Sequence, residues 1–331
     1  MNKPKTKAAI VTTLRDASAM IDSFIAYHLA IGFAHLFLFF DDPADPDLPR
    51  LAGHPNITAL PHDAALRRQW QALPEYPAQG PFIDSEVMAR QVLNVGVAMD
   101  LARQMGLDWL LHIDADELFH APDLSVAEHF AGAQAQAADT IQYPNFEAVP
   151  EKDDIADAFR EVDLFKVAPS LNPGPFTPEG ADLLRATPQM PQALFFHFYS
   201  NGKSAVRLGA RDMRPDGVHR FSKSGGAATV EQSQQAYVLH YACCGFEPFW
   251  TKYRTLGAFC DRWHGKDDIR RAIGPLHLEA RDVVATGSRD AARTFYRNRI
   301  ALTDPERAEA LIRHGVLMRI PGPRQMLESL A

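Results

Sequence analysis

The segment "DWLLHIDADELF", residues 108–119, runs through Trp109, Leu110, Leu111 and Ile113 and then sets Asp114, Asp116 and Glu117 close together. Crowded carboxylates repel one another and are costly to desolvate, so something must offset that cost. The apolar run reads as a buried strand. Side chains alternate along a strand, so Asp114 and Asp116 leave it on one face and can converge on one point. A divalent cation there would turn repulsion into attraction, and oxygen-only ligands suit Mg2+ or Mn2+. Mg2+ takes few carboxylates and completes its shell with phosphate oxygens, so such a corner would bind a metal-diphosphate. The competing structural reading is that Asp116 or Glu117 caps the next turn. An EF-hand calcium loop does not fit, because "DADELFHAPDLS" lacks the glycine that its turn requires.

A second acidic pair, Asp41 and Asp42, ends another apolar run, "HLFLFF". The elements around the two pairs explain their placement. "KAAIVTTL" (7–14) reads as a first strand, ending at Arg15. Met20, Ile21, Phe24, Ile25 and Leu29 have helical spacing, with Gly32 as a stop signal. "NITAL" (56–60) is a third strand, and residues 62–81 read as a long polar loop. Val87, Val95 and Met99 mark a helix that stops before Gly106 and leads into the strand of the opening segment. This β-α-β-β-α-β order predicts an α/β fold with a mostly parallel sheet and helices on both faces. Ligands of such sheets bind beyond the carboxyl ends of the strands, where both acidic pairs fall.

Past residue 120 the rhythm changes. "SVAE" (125–128) is a capping box, and 140–192 is irregular and proline-rich, as an acceptor loop or lid would be. "ALFFHFYS-NG-KSAVRL" predicts a hairpin across Asn201-Gly202. "VHRFSK" and "AYVLHYACC" read as strands, and the chain from "EPFWTKYRTLGAFCDRW" onward reads as helical, with Asp304-Pro305 as a helix start.

Composition narrows the function classes. The chain has 331 residues and a net charge of −7, which disfavours nucleic acid as a partner. From residue 250 onward there are about five more Lys and Arg than Asp and Glu. That excess reads either as solvated helices or as a basic face for peripheral contact with anionic lipid. The three cysteines, Cys243, Cys244 and Cys260, fit a reducing compartment, and the adjacent pair has poor geometry for a mutual bridge. No stretch has the length of a signal-peptide core or a membrane span, so the expectation is a soluble cytoplasmic protein.

The pieces "AAIVTTLRD", "IDSFIAYHLAIGFAHLFLFFDD" and "WLLHIDADELF", in that order, resemble the opening half of the family 2-like and family 92-like glycosyltransferases. "GKSAVRL", "VHRF" and "LHYACCGFEPFWTKYRTLGAF" resemble later elements of the same group, so the likeness covers roughly residues 7–260. The resemblance implies a GT-A fold: a glycosyltransferase domain over 1–260, with a nucleotide-binding half (7–120) and an acceptor half (121–260); the helical extension expected over 261–331 lies outside the likeness. It implies transfer of a sugar from a UDP- or GDP-sugar donor to an acceptor hydroxyl, saccharide or lipid-linked, with inversion. Asp114 and Asp116 take the metal-diphosphate role, with Mn2+ or Mg2+. Asp41 or Asp42 meets the nucleoside; Thr13 and Arg15 line its pocket and Arg90 and Asn94 border it. The sequence departs from the group at "FFDDPAD" and at Arg15-Asp16, which bears on nucleotide identity.

Glycosyl transfer leaves negative charge on a diphosphate, which pre-placed cations can meet. Lys203, Arg207, Lys252 and Arg254 are the candidates; for each, ordinary surface charge is the alternative. Among the late histidines, His240 ranks first as a third metal or phosphate contact, then His219, then His197. An inverting reaction needs a base, and Glu247, Asp153 and Asp154 are the acids available, although Glu247 could equally cap a helix. Two rivals stand beside this reading: a metal-dependent nucleotidyltransferase or phosphoesterase, and a non-catalytic nucleotide-sugar binding module. The glycine-rich phosphate loops common among the former are missing.

Overall fold

The computed structural model describes residues 5–15, 17, 19–166, 177–187, 196–256 and 275–330. Residue contacts divide the chain into two units, 1–143 with 202–238, and 144–201 with 239–331. Cys260, the expected domain boundary at 260 and the first residues of the expected hairpin, 193–195, lie outside the described residues.

The first half of the chain contains β1 (Ala8–Leu14), α1 (Ile21–Ala30), β2 (His35–Phe40), α2 (Asp47–Leu51), β3 (Ile57–Pro61), α3 (Ala64–Gln71) and α4 (Tyr76–Gln79). It continues with α5 (Val87–Gln104), β4 (Trp109–His112), β5 (Glu117–His120), α6 (Val126–Ala135) and β6 (Thr140–Tyr143). Then come β7 (Asn145–Ala148), α7 (Ala158–Glu161), β8 (Leu164–Lys166), α8 (Pro178–Arg185), β9 (Lys203–Arg207), β10 (Met213–Asp216) and β11 (Arg220–Lys223). The remainder is β12 (Val230–Gln232), β13 (Tyr237–His240), α9 (Phe246–Leu256), α10 (Pro275–Ala285), α11 (Arg289–Arg299), α12 (Pro305–Arg313), β14 (Leu317–Arg319) and α13 (Gly322–Ser329).

The first unit is built on a seven-stranded sheet in the order β12-β6-β9-β4-β1-β2-β3. The pairings β1–β2, β1–β4, β2–β3 and β12–β6 are parallel. Only β9 runs against its neighbours, antiparallel to both β4 and β6. The expected fold class is therefore the observed one, α/β with a mostly parallel central sheet. Strands of such a sheet are covered on both faces, which is why β2 is buried at every residue. On one face Val11, Phe37 and Phe39 pack with Trp70 of α3 and with Leu93 and Val97 of α5. On the other, Trp109 lies against Phe130 of α6, and Phe33 meets Phe119 and Phe130 edge-on.

The first unit departs from the sequence reading in three places. Residues 62–81 are not a loop: α3 forms because Asp63 accepts hydrogen bonds from the Ala65 and Leu66 amides, and Leu66 and Trp70 are buried. The strand before the acidic corner ends at His112, and Glu117–His120 is a separate strand. No hairpin forms across Asn201-Gly202: the described residues 196–201 contain no strand, and β9 pairs with β4 and β6 instead. The capping box at Ser125 and the helix start at Asp304-Pro305 are as expected.

In the second unit β8 pairs antiparallel with β7 and with β14. A helical core joins Phe249, Trp250 and Tyr253 of α9 with Leu276 of α10 and Tyr296 of α11. A second cluster gathers Leu164, Leu311 and Leu317. The buried Glu147 carboxylate takes the Lys166 ammonium at 2.6 Å and the backbone N–H groups of His197 and Phe198 at 3.0 and 2.9 Å. Those bonds consume donors that a strand over 196–200 would have needed.

Candidate active site

The carboxyl ends of β1, β2 and β4 share one rim of the first unit's sheet, because these strands are parallel neighbours. Each is followed by a polar residue the sequence reading singled out: Arg15, Asp41 and Asp114. One helix ties this rim together. On the first turns of α5, Arg90 donates from Nε and Nη2 to the two oxygens of Asp41, the latter at 2.8 Å. The next residue, Gln91, donates its amide to Asp114 Oδ1 at 2.7 Å. One turn on, Asn94 donates to Thr13 Oγ1 at 2.9 Å and accepts from Trp70 Nε1 at 3.0 Å.

Around Asp41 lies a cavity of ≈ 330 Å³, lined among others by Arg15, Asp42, His62, Arg67, Asp84 and Arg90. Asp41 is buried and paired: besides Arg90, Arg15 Nη1 stands 3.5 Å from its Oδ2. Asp42 accepts from the Ala44 amide at 2.8 Å. Arg67 donates to Asp84 at 2.6 Å and through Nε to His62 Nε2 at 3.2 Å. Burial and the Arg67 charge hold the His62 ring below its ordinary pKa, which suits its role as an acceptor. The cavity walls thus offer guanidinium, imidazole and carboxylate groups in one recess, the donor and acceptor set a nucleoside presents partners for.

The acidic corner is organised differently from the expectation. Lys203, the first residue of β9, is wholly buried, and its Nζ lies 2.6 Å from Asp114 Oδ2 and 3.7 Å from Glu117 Oε2. Glu117 is also wholly buried and accepts the Asp114 backbone N–H at 2.7 Å. Burial opposes charge on Lys203, yet Asp114 and Glu117 raise its pKa above the ordinary lysine range. Burial likewise pushes Asp114 up, but Lys203 and His112 together outweigh it and bring it down to about 2. Burial dominates at Glu117 and lifts it well above the usual carboxylate range. Both oxygens of Asp114 are therefore engaged, one by an amide and one by an ammonium. Among the described residues no group of three His, Cys, Asp or Glu side chains could hold a metal ion. The residues present do not fit a divalent ion held by the protein alone.

Two cation assignments change. Lys203 has no exposed surface, so it meets Asp114 rather than a ligand from solvent. Arg207 lies at the other end of β9, paired with Trp109, while Ser204 pairs with His112. Arg207 is four steps along the strand from Lys203, about 13 Å away. Arg207 instead donates to Ala138 O at 2.7 Å and to Asp139 Oδ1 at 2.9 Å. His219 does stay near the start of β9: its Nδ1 lies 2.7 Å from Gly202 O, and its own carbonyl accepts from Ser204 Oγ at 2.6 Å.

The remaining candidates belong to the second unit. His240 is buried against Phe198 and Tyr199, with ring centroids 5.7 and 4.7 Å away. Lys252 Nζ stands 5.8 Å from the Phe198 ring centroid, and Arg254 is exposed. His197 is tied by its backbone to Glu147. Glu247 is exposed and pairs with Arg289, whereas Asp153 accepts from Arg293 and Arg297 at 3.0 and 2.8 Å. With Arg299 on Glu279, the arginines of α11 that could have made an open basic face each have an acidic partner.

Gln91, His62, Arg67 and Asp84 were not anticipated from sequence. The signal for Gln91 was its place beside Arg90 on a helix whose start faces the strand ends.

No family model matches the chain. Among solved structures, core-mannan synthase A of Aspergillus fumigatus in its Mn/GDP form is 11% identical over 63% of this chain and 61% of that chain, with a TM-score of 0.31. HddC of Yersinia pseudotuberculosis is 8% identical over 76% of this chain and 100% of its own, with a TM-score of 0.30. Superpositions this loose carry no argument. Sequence similarity reaches further. A glycosyltransferase-like protein of Arabidopsis thaliana is 28% identical over 343 residues, 99% of this chain and 74% of that protein. A second from the same plant is 26% identical over 98% of this chain and 64% of its own length, so the chain spans less than two thirds of that relative. Over nearly its whole length, then, the chain is similar to curated plant proteins named glycosyltransferase-like.

Proposed function

We propose that the chain is a glycosyltransferase that moves a hexose from a UDP- or GDP-sugar to an acceptor hydroxyl, saccharide or lipid-linked, with inversion. One observation carries this reading: Arg90, Gln91 and Asn94 of one helix fix Asp41, Asp114 and Thr13 along a single rim. A nucleoside recess and an acidic corner thereby stand side by side at the edge where parallel sheets take ligands. The nucleoside would enter the cavity beside Arg15, His62 and Asp84, with its diphosphate directed along the rim toward Asp114 and Asp116. Exposed Arg15 supplies positive charge to the leaving group. A divalent ion, Mn2+ or Mg2+, belongs to this reading only if it arrives with the donor. For the acceptor proton, Asp153 is a poor base because two guanidinium groups hold it charged, and its pKa lies below the ordinary range. That leaves Glu247 and Asp154 of the acids, and we add His219 as a third candidate.

Among the described residues no helix is long and apolar enough to cross a membrane. The paired arginines of α11 give no support to lipid contact through that helix.

Thermal melting with a panel of nucleoside diphosphates, nucleotide-sugars and triphosphates, with and without Mn2+, tests the reading. A ligand that binds the native state alone raises the midpoint. Stabilisation by one nucleoside diphosphate, lost in Asp116→Ala and accompanied by slow donor hydrolysis, is the expected result. Stabilisation by triphosphates alone would favour a nucleotidyltransferase, and donor binding without hydrolysis or transfer a binding module.

A further inference from the structure

The Asp-x-Asp spacing led us to expect an open pair of carboxylates awaiting a cation. The corner already contains one. Lys203 has no exposed surface, and its ammonium lies 2.6 Å from Asp114 and 3.7 Å from Glu117. An isolated buried ammonium is unfavourable, as is a buried carboxylate beside a partly exposed one; together they compensate. The surrounding bonds hold this arrangement: Gln91 takes the other Asp114 oxygen, and the Asp114 backbone N–H occupies Glu117 Oε2. The topology supplies it as well. Because β9 is antiparallel to β4, its first residue arrives at the rim where β4 ends.

We propose that the Lys203 ammonium is the permanent counter-ion of Asp114, with Glu117 beside it, occupying the place of a divalent cation, so that the nucleotide-free protein holds no such ion there. Lys203 is then a positioning residue. It acts through Asp114, fixing that carboxylate on the rim without touching a ligand itself. The proposal goes beyond the transferase reading and does not depend on it, since it concerns the protein without nucleotide.

The test is Mn2+ binding to the full chain without nucleotide, followed by loss of the free-Mn2+ electron paramagnetic resonance signal and by calorimetric titration. Wild type should leave the Mn2+ signal unchanged, and its melting midpoint should not respond to chelator. Lys203→Met should leave the Asp114 carboxylate without its counter-ion and gain a Mn2+ site at least about tenfold tighter than any in wild type. Lys203→Arg keeps the cation and should stay silent to Mn2+. A merely structural lysine would give destabilised variants with no gain of metal binding. If Lys203→Met does not fold in chelator, Mn2+ should restore folding, and Lys203→Met combined with Asp114→Asn should recover stability without metal. Tight Mn2+ binding by nucleotide-free wild type would overturn the proposal. So would a Lys203→Met variant that gains no Mn2+ site, or one that neither Mn2+ nor the Asp114→Asn change rescues.

Discussion

Arg90 and Asp41, 49 residues apart, meet as a two-pronged pair whose side chains are only 8% and 6% exposed. Removing Arg90 leaves the buried Asp41 charge with only the longer, half-exposed contact to Arg15, which costs more than the pair itself contributes. We expect Arg90→Ala to lower unfolding stability by roughly 3–5 kcal/mol. Arg90→Lys should recover only part of this, since an ammonium cannot satisfy both oxygens in one plane. Urea titration of the two variants checks both statements; a loss within experimental scatter for Arg90→Ala would show that the pair is solvated.

Trp70 lies in the core, yet its Nε1–H reaches Asn94, which in turn holds Thr13. Trp70→Phe keeps most of the apolar volume and leaves Asn94 Oδ1 without that donor. An unsatisfied buried acceptor costs about 1–3 kcal/mol. If the proposed function holds, the same change should weaken binding of the nucleoside diphosphate, because Asn94, which donates to Thr13, loses one of its two tethers. Melting curves with and without that ligand separate the two effects.

In the second unit, Glu147 compensates Lys166 and also anchors the His197 and Phe198 amides. Glu147→Ala should cost roughly 3–5 kcal/mol by stranding the Lys166 charge. Replacing both partners, as Glu147→Leu with Lys166→Met, should not return to wild-type stability, because the two backbone donors still lose their acceptor. Faster hydrogen exchange at His197 and Phe198 in the double variant is the check.

Acid should unfold the protein from mid-range pH downward. Burial lowers His28 to about 3 and both His120 and His129 to about 4. The geometry of His28 requires a neutral ring: one nitrogen contacts Phe24 O and the other accepts the Phe119 N–H at 3.1 Å. A histidine whose folded pKa is depressed leaves more protons on the unfolded chain between the two values. Stability is then intact above about pH 6.5 and falls below it by about 1.4 kcal/mol per pH unit for each such ring. For His120 and His129 the loss runs to about pH 4, and for His28 to about pH 3. Urea unfolding between pH 7.5 and 4.5 should show this slope, and His28→Gln should flatten it.

Much of the frame was legible because it depends on local pattern. Continuous apolar runs mark β1, β2 and β4, and helical spacing marks α1 and α5. The carboxyl-edge rule alone puts Asp41 and Asp114 on one rim. What the sequence concealed depends on pairing between distant segments. "KSAVR" shows neither that β9 runs against its neighbours nor that one end reaches the rim while Arg207 lies at the opposite edge. Lys203 looks like surface charge until the carboxylates around it are seen. Residues 62–81 read as a loop because their polarity is obvious, whereas the Asp63 cap and the buried pair Leu66 and Trp70 are easily overlooked. Asn201-Gly202 carries the dipeptide of a tight hairpin, but Glu147 captures the amides just before it.

The pairing of Tyr143 with Lys203 has one more consequence. The chain leaves the first unit after Tyr143 and re-enters it at Gly202, so residues 144–201 exit and return beside a single rung of the ladder. An excursion with its two stems zipped together can change in length while β6 and β9 keep their register. In a lineage of such proteins, this doorway is where insertions could be grafted without rebuilding the sheet.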